Sequence, residues 1–424
     1  MKQNEVSQAG QVNIIACDIL TATGQGIEIT ALVEKITIYE DLFSPFISGE
    51  IVLRDTYDIP NTIGRSSRDL LRLVINTPSL PAEKNIQGYF LIYKIANRQL
   101  ASDRSQLYTY KFCSEEMIYD VQRRISKTYR GTGDSIVGEI TSEKLGTSKS
   151  VNKDTCNNEI TYTSNFWSPI QNIRYVIEHS LDGNDNPSFV FYENRDGFNF
   201  KSLTKLAEQE DLMQYFVASD FIADVETSKD NKIRFGAASR NPNNDYSIIR
   251  EIRVDSTFDY LDFISKGASR TLLYTHDLVT KRIDIQRFEL LNDGHTLLND
   301  NRFLSDAAIS NTEPLILTAS KHWSALDEED KTNTKFLQKR ISQIAQYQSF
   351  KIELDVFGRT DYTVGKKVYV DVNQIRAISK DEEKDLFLDK MYSGYYLVSK
   401  VAHHINRKEH MATVELIKDS TLLS

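Results

Sequence analysis

Residues 188–206 read Ser-Phe-Val-Phe-Tyr-Glu-Asn-Arg-Asp-Gly-Phe-Asn-Phe-Lys-Ser-Leu-Thr-Lys-Leu, and no other stretch constrains the fold as tightly. Two aromatic-rich runs flank Asn194-Arg195-Asp196-Gly197. Asp-Gly between alternating apolar runs signals a β-hairpin, because the turn needs positive φ and glycine supplies it without steric cost. Phe189, Phe191, Phe198 and Phe200 then alternate along the two strands and share faces. The hairpin runs into a short helix, with Ser202 placed to cap it and Leu203 and Leu206 on one side.

Around this hairpin the pattern is β, then mixed, then β again. From 13 to 112, Ile27, Ile29, Ala31 and Val33 alternate, and the apolar phase then shifts to Ile36 and Ile38, the mark of a β-bulge. Strands follow at Ile47–Leu53, Leu71–Ile75, Tyr89–Ile95 and Tyr108–Phe112, and such spacing with regular turns indicates a barrel or sandwich. In the middle, Ser114 opens a helix with Ile118, Val121 and Ile125 inward. Asp134 opens a second, with Ile136, Val137 and Ile140 inward and Gly146 beyond it. Residues 147–166 are polar and read as a surface loop or insertion. Ser168-Pro169-Ile170-Gln171 combines a capping box with proline at the first helical position, and Ile170, Ile173 and Ile177 form that helix's buried stripe. Further on, Thr257 opens a helix with Phe258, Leu261 and Ile264 inward. Residues 272–288 form a hairpin, 292–313 a polar loop, and 333–347 a helix with Leu337, Ile341 and Ile344 on one face. Strands return at Ile352–Val356, Val368–Val372, Tyr396–Val398 and Ala412–Leu416. The run Asp381-Glu382-Glu383-Lys384-Asp385 reads as a solvated loop tip.

A chain of 424 residues is too long for one core. Its net charge of −9 makes it a poor non-specific DNA binder, since Lys and Arg supply that affinity, although it can still surround DNA without gripping it. The 21 Tyr and 20 Phe favour β structure over a helical bundle. Cys17, Cys113 and Cys156 are widely spaced, which argues against a disulfide framework or zinc ribbon and fits reduced thiols in a cytosolic setting. No secretory signal is apparent, and no apolar run approaches the roughly 18 residues that span a bilayer.

Candidate chemical sites each meet a physical objection. Asp182, Asn184, Asn186 and Glu193 occupy calcium-loop positions 1, 3, 5 and 12, but Pro187 stands where the sharp turn needs glycine, and strand follows instead of helix. His403, His404 and His410 cluster, yet adjacent residues on a strand point to opposite faces. Gly358 to Lys366 has the wrong spacing for a phosphate loop, with Lys367 where Ser or Thr is required. Gly131-x-Gly133 follows no strand of a βαβ unit. Glu193 and Asp196 could be offered as a glycosidase pair, but turn chemistry explains Asp196. Arg123, Arg124 and Lys127 read as a solvated basic helix face. The expectation is no catalytic, cofactor-binding or metal residues, and no cofactor.

Four collinear stretches resemble the central baseplate hub proteins of contractile-tailed bacteriophages, a ring-forming family related to the N-terminal part of type VI secretion spike proteins. The first is Ile38-Tyr-Glu-Asp41 through Ser48-Gly49-Glu-Ile-Val-Leu-Arg-Asp55 to Ile63-Gly64. The second is Tyr129-Arg-Gly131 through Ile136-Val137 to Leu145-Gly146. The third runs from Trp167-Ser-Pro169-Ile170 through the aromatic hairpin (191–200). The fourth comprises Phe336-Leu-Gln-Lys-Arg340, Val364-Gly365, Val368, Ser393-Gly394, Leu397-Val398, His404, Glu415-Leu416 and Asp419.

The resemblance implies a mainly β chain with an α+β middle: two tail-tube-like antiparallel β-barrel domains plus helix-containing middle domains. On that pattern 1–112 is the first tube-like barrel, 113–209 a helical and mixed domain carrying the aromatic hairpin, and 210–254 the start of the second barrel. Residues 255–332 are an inserted α+β peripheral segment and 333–424 the remainder of the second barrel. It further implies a non-enzymatic structural protein of the virion baseplate, assembled in the host cytoplasm. That protein forms a homotrimeric, pseudo-sixfold ring that joins the tail tube, or a tube initiator, to a central spike. Baseplate wedge proteins are further partners, and DNA passes through the lumen during ejection without specific binding. The alternatives are the hub of a type VI or other contractile injection machine, and a cell-wall hydrolase with Glu193 as acid. Residues 147–166 and the acidic loop 378–390 have no place in the family pattern.

Overall fold

The alternating runs of the first hundred residues become strands because each has one apolar face to bury. The computed structural model describes residues 8–21, 24–63, 68–102, 104–217, 246–277, 279–321, 333–372 and 388–423. Strands β1 (Asn13–Leu20), β2 (Gly26–Glu28), β3 (Val33–Asp41), β4 (Ser48–Asp55), β5 (Leu70–Asn76), β6 (Ile86–Ser102) and β7 (Ser105–Ser114) lie in one sheet. The expected bulge is present: the β3–β4 register shifts between Val33 and Lys35. A 3-10 turn at Thr30–Leu32 separates β2 from β3, so the run read as one strand is two. Ile36, Ile38, Ile51, Leu53, Leu71, Leu73, Tyr108 and Phe112 form the buried face.

The middle begins with α1 (Glu116–Gln122), followed by β8 (Thr128–Thr132), α2 (Gly133–Glu139), β9 (Val151–Lys153), β10 (Glu159–Thr163) and α3 (Pro169–His179). The hairpin strands β11 (Phe189–Asn194) and β12 (Gly197–Ser202) and helix α4 (Leu203–Glu208) complete it. The capping box forms as expected: Ser168 accepts from the Gln171 N–H at 3.2 Å and the Gln171 side chain accepts from the Ser168 N–H at 2.8 Å. Ile136, Val137 and Ile140 are buried as expected, but Val121 is exposed, because α1 ends before Ile125 and Ile125 instead bridges to Trp167. Ser114 and Ser202 make no cap; their hydroxyls are engaged elsewhere. Residues 147–166 are not a surface loop. They supply β9, which pairs parallel with β12, and β10, which pairs with β8 and buries Ile160 and Tyr162.

The expected hairpin forms, with Phe191 opposite Phe200 and Asn194 opposite Gly197. Gly197 has φ +121°, and a Cβ there would lie 2.5 Å from the Ser150 carbonyl oxygen, so both backbone angle and strand approach demand glycine. Every residue of β11 is buried because the hairpin lies between two cores. Its phenylalanine face packs on Ile136, Val137, Ile170 and Ile173, with Phe189 stacked on Phe200 and Phe191 on Phe198. Val190 and Tyr192 face the C-terminal core beside Leu203, Val364 and Val398. Burying each of these phenylalanines contributes roughly 2–3 kcal/mol.

The remainder comprises β13 (Asp211–Val217), β14 (Ile248–Ser256), α5 (Tyr260–Ser265), β15 (Arg270–His276), β16 (Ile283–Glu289), β17 (Asn301–Arg302), α6 (Asp306–Ser310) and β18 (Leu315–Ser320). Then follow α7 (Leu337–Gln348), β19 (Phe350–Phe357), β20 (Lys367–Asp371), β21 (Gly394–Asn406), β22 (His410–Lys418) and β23 (Ser420–Thr421). In α5 the buried residue is Phe263, while Leu261 points to solvent. The stretch 292–313 is not simply a polar loop, since Leu298, Leu304 and Ile309 are buried. Helix α7 buries Gln338, Ser342, Gln343 and Gln346 together with Ala345 and Tyr347, and leaves the expected stripe Leu337, Ile341 and Ile344 half-buried. Most of the 378–390 loop, including the charge run 381–385, lies outside the described residues, as do 218–245.

The expected pair of tail-tube-like antiparallel β-barrel domains is overturned. The strands of both β regions belong to one continuous 13-stranded sheet, in the order β2-β1-β5-β6-β7-β4-β3-β21-β20-β13-β14-β19-β22, with β21 also paired to β22. The two regions fuse where β3 runs antiparallel to β21, from Lys400 opposite Asp41 to Asn406 opposite Lys35. Neither region stands as a separate barrel, and four smaller sheets and the helices make the fold mixed α and β. The sheet is not purely antiparallel either, since β13 runs parallel to both β14 and β20. Alternation identifies a strand's buried face but not its neighbour, so the fusion carries no periodicity signal.

Candidate functional site

The residues of interest converge on a polar seam where the hairpin meets both halves of the sheet. Glu193 is buried on β11. Its Oε2 accepts the Ile47 N–H at 3.0 Å and the Ser114 hydroxyl, and its Oε1 accepts Lys149 Nζ at 2.6 Å. Lys149 also reaches Glu116 at 2.7 Å, so one ammonium bridges two buried carboxylates. Burial raises Glu193 above the usual carboxylate range even with Lys149 opposing. Burial also works against the Lys149 charge, but Glu193 and Glu116 outweigh it and hold the ammonium above the ordinary lysine value. The three bonds to Glu193 join the residue before β4, the end of β7 and Lys149 to the hairpin. That arrangement fixes a position rather than delivering a proton.

From the same turn, Arg195 donates to the Thr360 carbonyl at 3.0 Å and pairs with Asp196 at 2.7 Å. Glu40, on the core side of β3, accepts from the Thr363 hydroxyl and from the Val364 N–H at 3.2 Å, tying the first half of the sheet to the last. Burial pushes its carboxyl up to about 7 despite those bonds and the Arg195 charge.

The calcium-loop residues do not assemble. Asp182 spends its oxygens on the N–H groups of Asn184 and Asn186, at 2.8 and 2.9 Å, and on the hydroxyls of Ser202 and Thr204, both at 2.9 Å. Although burial opposes them, these donors hold it below its ordinary value. His404 does diverge from His403, as alternation requires, but His403 meets His410 across the β21–β22 hairpin. His403 Nε2 donates to the Tyr362 carbonyl at 3.2 Å, so its Nδ1 accepts from His410 Nε2 at 2.9 Å. Burial drives both rings to the neutral form. Among the described residues, no three His, Cys, Asp or Glu side chains are placed to hold a metal. Gly131 lies within β8, which is antiparallel to β10 and so part of no βαβ unit, and Gly365 makes the turn before β20. Arg123 binds the Lys144 carbonyl, Arg124 binds backbone carbonyls of its own helix end, and Lys127 pairs with Glu139, so this basic trio is held locally.

A second buried cluster had no sequence signal. His295 lies between Asp293, at 3.1 Å from Nδ1, and Asp419, at 3.4 Å from Nε2, and all three side chains are fully buried. Burial alone favours the neutral ring, but the flanking carboxylates outweigh it and push His295 up to about 9. Asp293 also accepts Gln343 Nε2 from α7 at 3.2 Å, and Asp419 accepts the Leu298 N–H at 3.1 Å. The imidazolium therefore pins the 293–299 segment to the end of β22. Its unfolded value is near 6.5, so this stabilisation is fully present below pH 6.5 and disappears as pH rises through 9. In a carbon-13 histidine-labelled sample, the resonance that vanishes in His295→Asn is expected to titrate near pH 9. A midpoint below 7 would show a neutral ring.

No family model matches the chain. In sequence it is similar to the probable baseplate hub protein gp334 of Vibrio phage KVP40, with 21% identity over 417 residues that cover 94% of this chain and 93% of that protein. In fold it is similar to a tail protein from Neisseria meningitidis MC58, with a TM-score of 0.55 and 11% identity over 95% of this chain and 96% of that one. It is likewise similar to the 43 kDa tail protein of prophage MuSo2 from Shewanella oneidensis, with a TM-score of 0.53 and 9% identity over 95% of this chain and 98% of that one. Along nearly its whole length this chain is thus similar in sequence to a probable baseplate hub protein of a phage, and it shares its fold with two tail proteins.

Proposed function

We propose that this chain is a structural component of the phage tail baseplate, assembled in the host cytoplasm, in which three copies form a ring around the tail lumen. Each copy contributes the two halves of its 13-stranded sheet, so that a threefold assembly offers six sheet segments to the tail tube above and three to a central spike below. Wedge proteins meet its periphery, and DNA crosses the lumen without specific contacts. No residue serves as a catalytic, cofactor or metal group.

The observation that carries this reading is the end-to-end relation to a probable baseplate hub protein. Two features support it. Glu193 and Asp182 are engaged by internal hydrogen bonds, and His403 and His410 bond each other. The net charge of −9 disfavours adhesion to a passing polyanion. Light scattering on the purified chain is expected to give three times the 48.6 kDa subunit mass, with threefold rings in electron micrographs. A monomer that stays monomeric, even with its spike partner, would overturn the proposal.

A further inference from the structure

The three-stranded sheet β16-β15-β18 buries one face and exposes an apolar one. Thr271, Leu273 and Thr275 point inward, where Gln338 of α7 donates to the Thr271 hydroxyl at 2.8 Å. The registers place Leu272 with Arg287 and Ile316, Tyr274 with Ile285 and Thr318, and His276 with Ile283 and Ser320 on the opposite, outer face. There Ile283 is 66%, Ile285 55% and Ile316 62% exposed, and Leu272 and Tyr274 lie half-buried between them. A solvated strand face ordinarily alternates to polar residues, and exposed isoleucines on the two strands that flank β15, with Leu272 and Tyr274 between them, mark a surface that something covers.

Among the described residues, the exposed charges of the β15–β16 hairpin that form no ion pair have one sign. Lys281, Arg282 and Arg287 are exposed at the border of the patch and form no ion pair among the described residues, on a chain that is acidic overall. The two acids of β16 are engaged: Glu289 with Arg270 at 2.8 Å and Asp284 with Lys321 at 2.5 Å. A second copy of this chain docked face to face would set these cations against their own images. We infer that the outer face of this sheet is a docking site for a different protein, which lays an amphipathic helix across it with an apolar stripe on the isoleucines and carboxylates against Arg282 and Arg287. A helix on a sheet completes the ordinary two-layer arrangement, and the opposed charges set orientation and encounter rate. This surface does not depend on the baseplate reading.

Two synthetic amphipathic helical peptides with the same apolar stripe, one flanked by Glu and one by Lys, test the proposal by fluorescence anisotropy against the full-length chain. The Glu-flanked peptide is expected to bind at least about tenfold more tightly at low salt, and the difference should close near 0.5 M NaCl. Ile285→Asp should weaken it by about tenfold or more, and Arg287→Glu should reverse the preference, with both variants keeping the wild-type circular dichroism spectrum. Equal binding of the two peptides, binding of neither, or indifference to both substitutions overturns the inference. So does self-association that Ile285→Asp abolishes, which would make the occupant a second copy, or binding only to phosphatidylglycerol vesicles, which would make it a lipid surface.

Discussion

Lys149→Met is expected to destabilise the chain by about 3 kcal/mol at pH 8, the usual cost of removing one partner from a buried ion pair. Lys149 is the only cation bound by both Glu193 and Glu116 among the described residues, and both carboxylates are buried. Methionine preserves the length and the apolar stem, so the loss isolates the charge. The two carboxylates then repel each other in a site that cannot hydrate them. Protonation of Glu193, already raised by burial and raised further once Lys149 is gone, is the available relief, and the deficit should therefore shrink as pH falls. Trp167 packs against Tyr162 and Tyr175 in the middle core and reports urea unfolding there in a Trp323→Phe background. A deficit below about 1 kcal/mol, or one that does not change with pH, would mean that Lys149 contributes packing alone. Because Glu193 holds Ile47 and Ser114 of the sheet, the same variant should also open the hairpin seam to proteolysis before the sheet unfolds.

What could be read from the sequence was local. The capping box at Ser168 and Gln171, the Gly197 hairpin and the Val33 bulge each involve residues within a few positions of one another, and each formed. What could not be read depended on partners far along the chain. Strand β3 finds β21 some 365 residues later, and nothing in either run names the other. Helix α7 looked amphipathic through Leu337, Ile341 and Ile344, but beside Ala345 and Tyr347 it buries glutamines, because Gln338 donates to Thr271 and Gln343 to Asn186 and Asp293. The polar stretch 147–166 became strand because Val151 pairs with Phe198 and Glu159 pairs with Thr132. Glu193 invited a catalytic reading because an acid near a turn gives no hint of Lys149, 44 residues upstream. The resemblance to hub proteins survived these corrections because it rested on order along the chain rather than on any single strand's partner.

Glu40 provides the other large effect, and its sign is opposite to that of an ordinary paired carboxylate. Its value is about 7 in the folded chain against 4.5 for a free glutamate, so the folded state binds the proton more tightly. Stability must then fall as pH rises from about 4.5 to 7, by about 3 kcal/mol, and stay low above that. Glu40→Gln removes the titration. It also replaces one acceptor oxygen with a donor, which carries its own pH-independent cost. The difference in unfolding free energy between variant and wild type should therefore change by about 3 kcal/mol in the variant's favour between pH 4 and pH 8, whatever its starting value. The raised Glu193 contributes to the slope of both proteins and cancels in this difference. Parallel stability curves across that range would sink the assignment. Since Glu40 binds Thr363 and Val364 across the fusion of the two sheet halves, its charge weakens the joint through which β3 and β21 are held together. Hydrogen exchange at the Val364 amide should accordingly quicken with pH beyond the intrinsic trend in wild type, and follow that trend in Glu40→Gln.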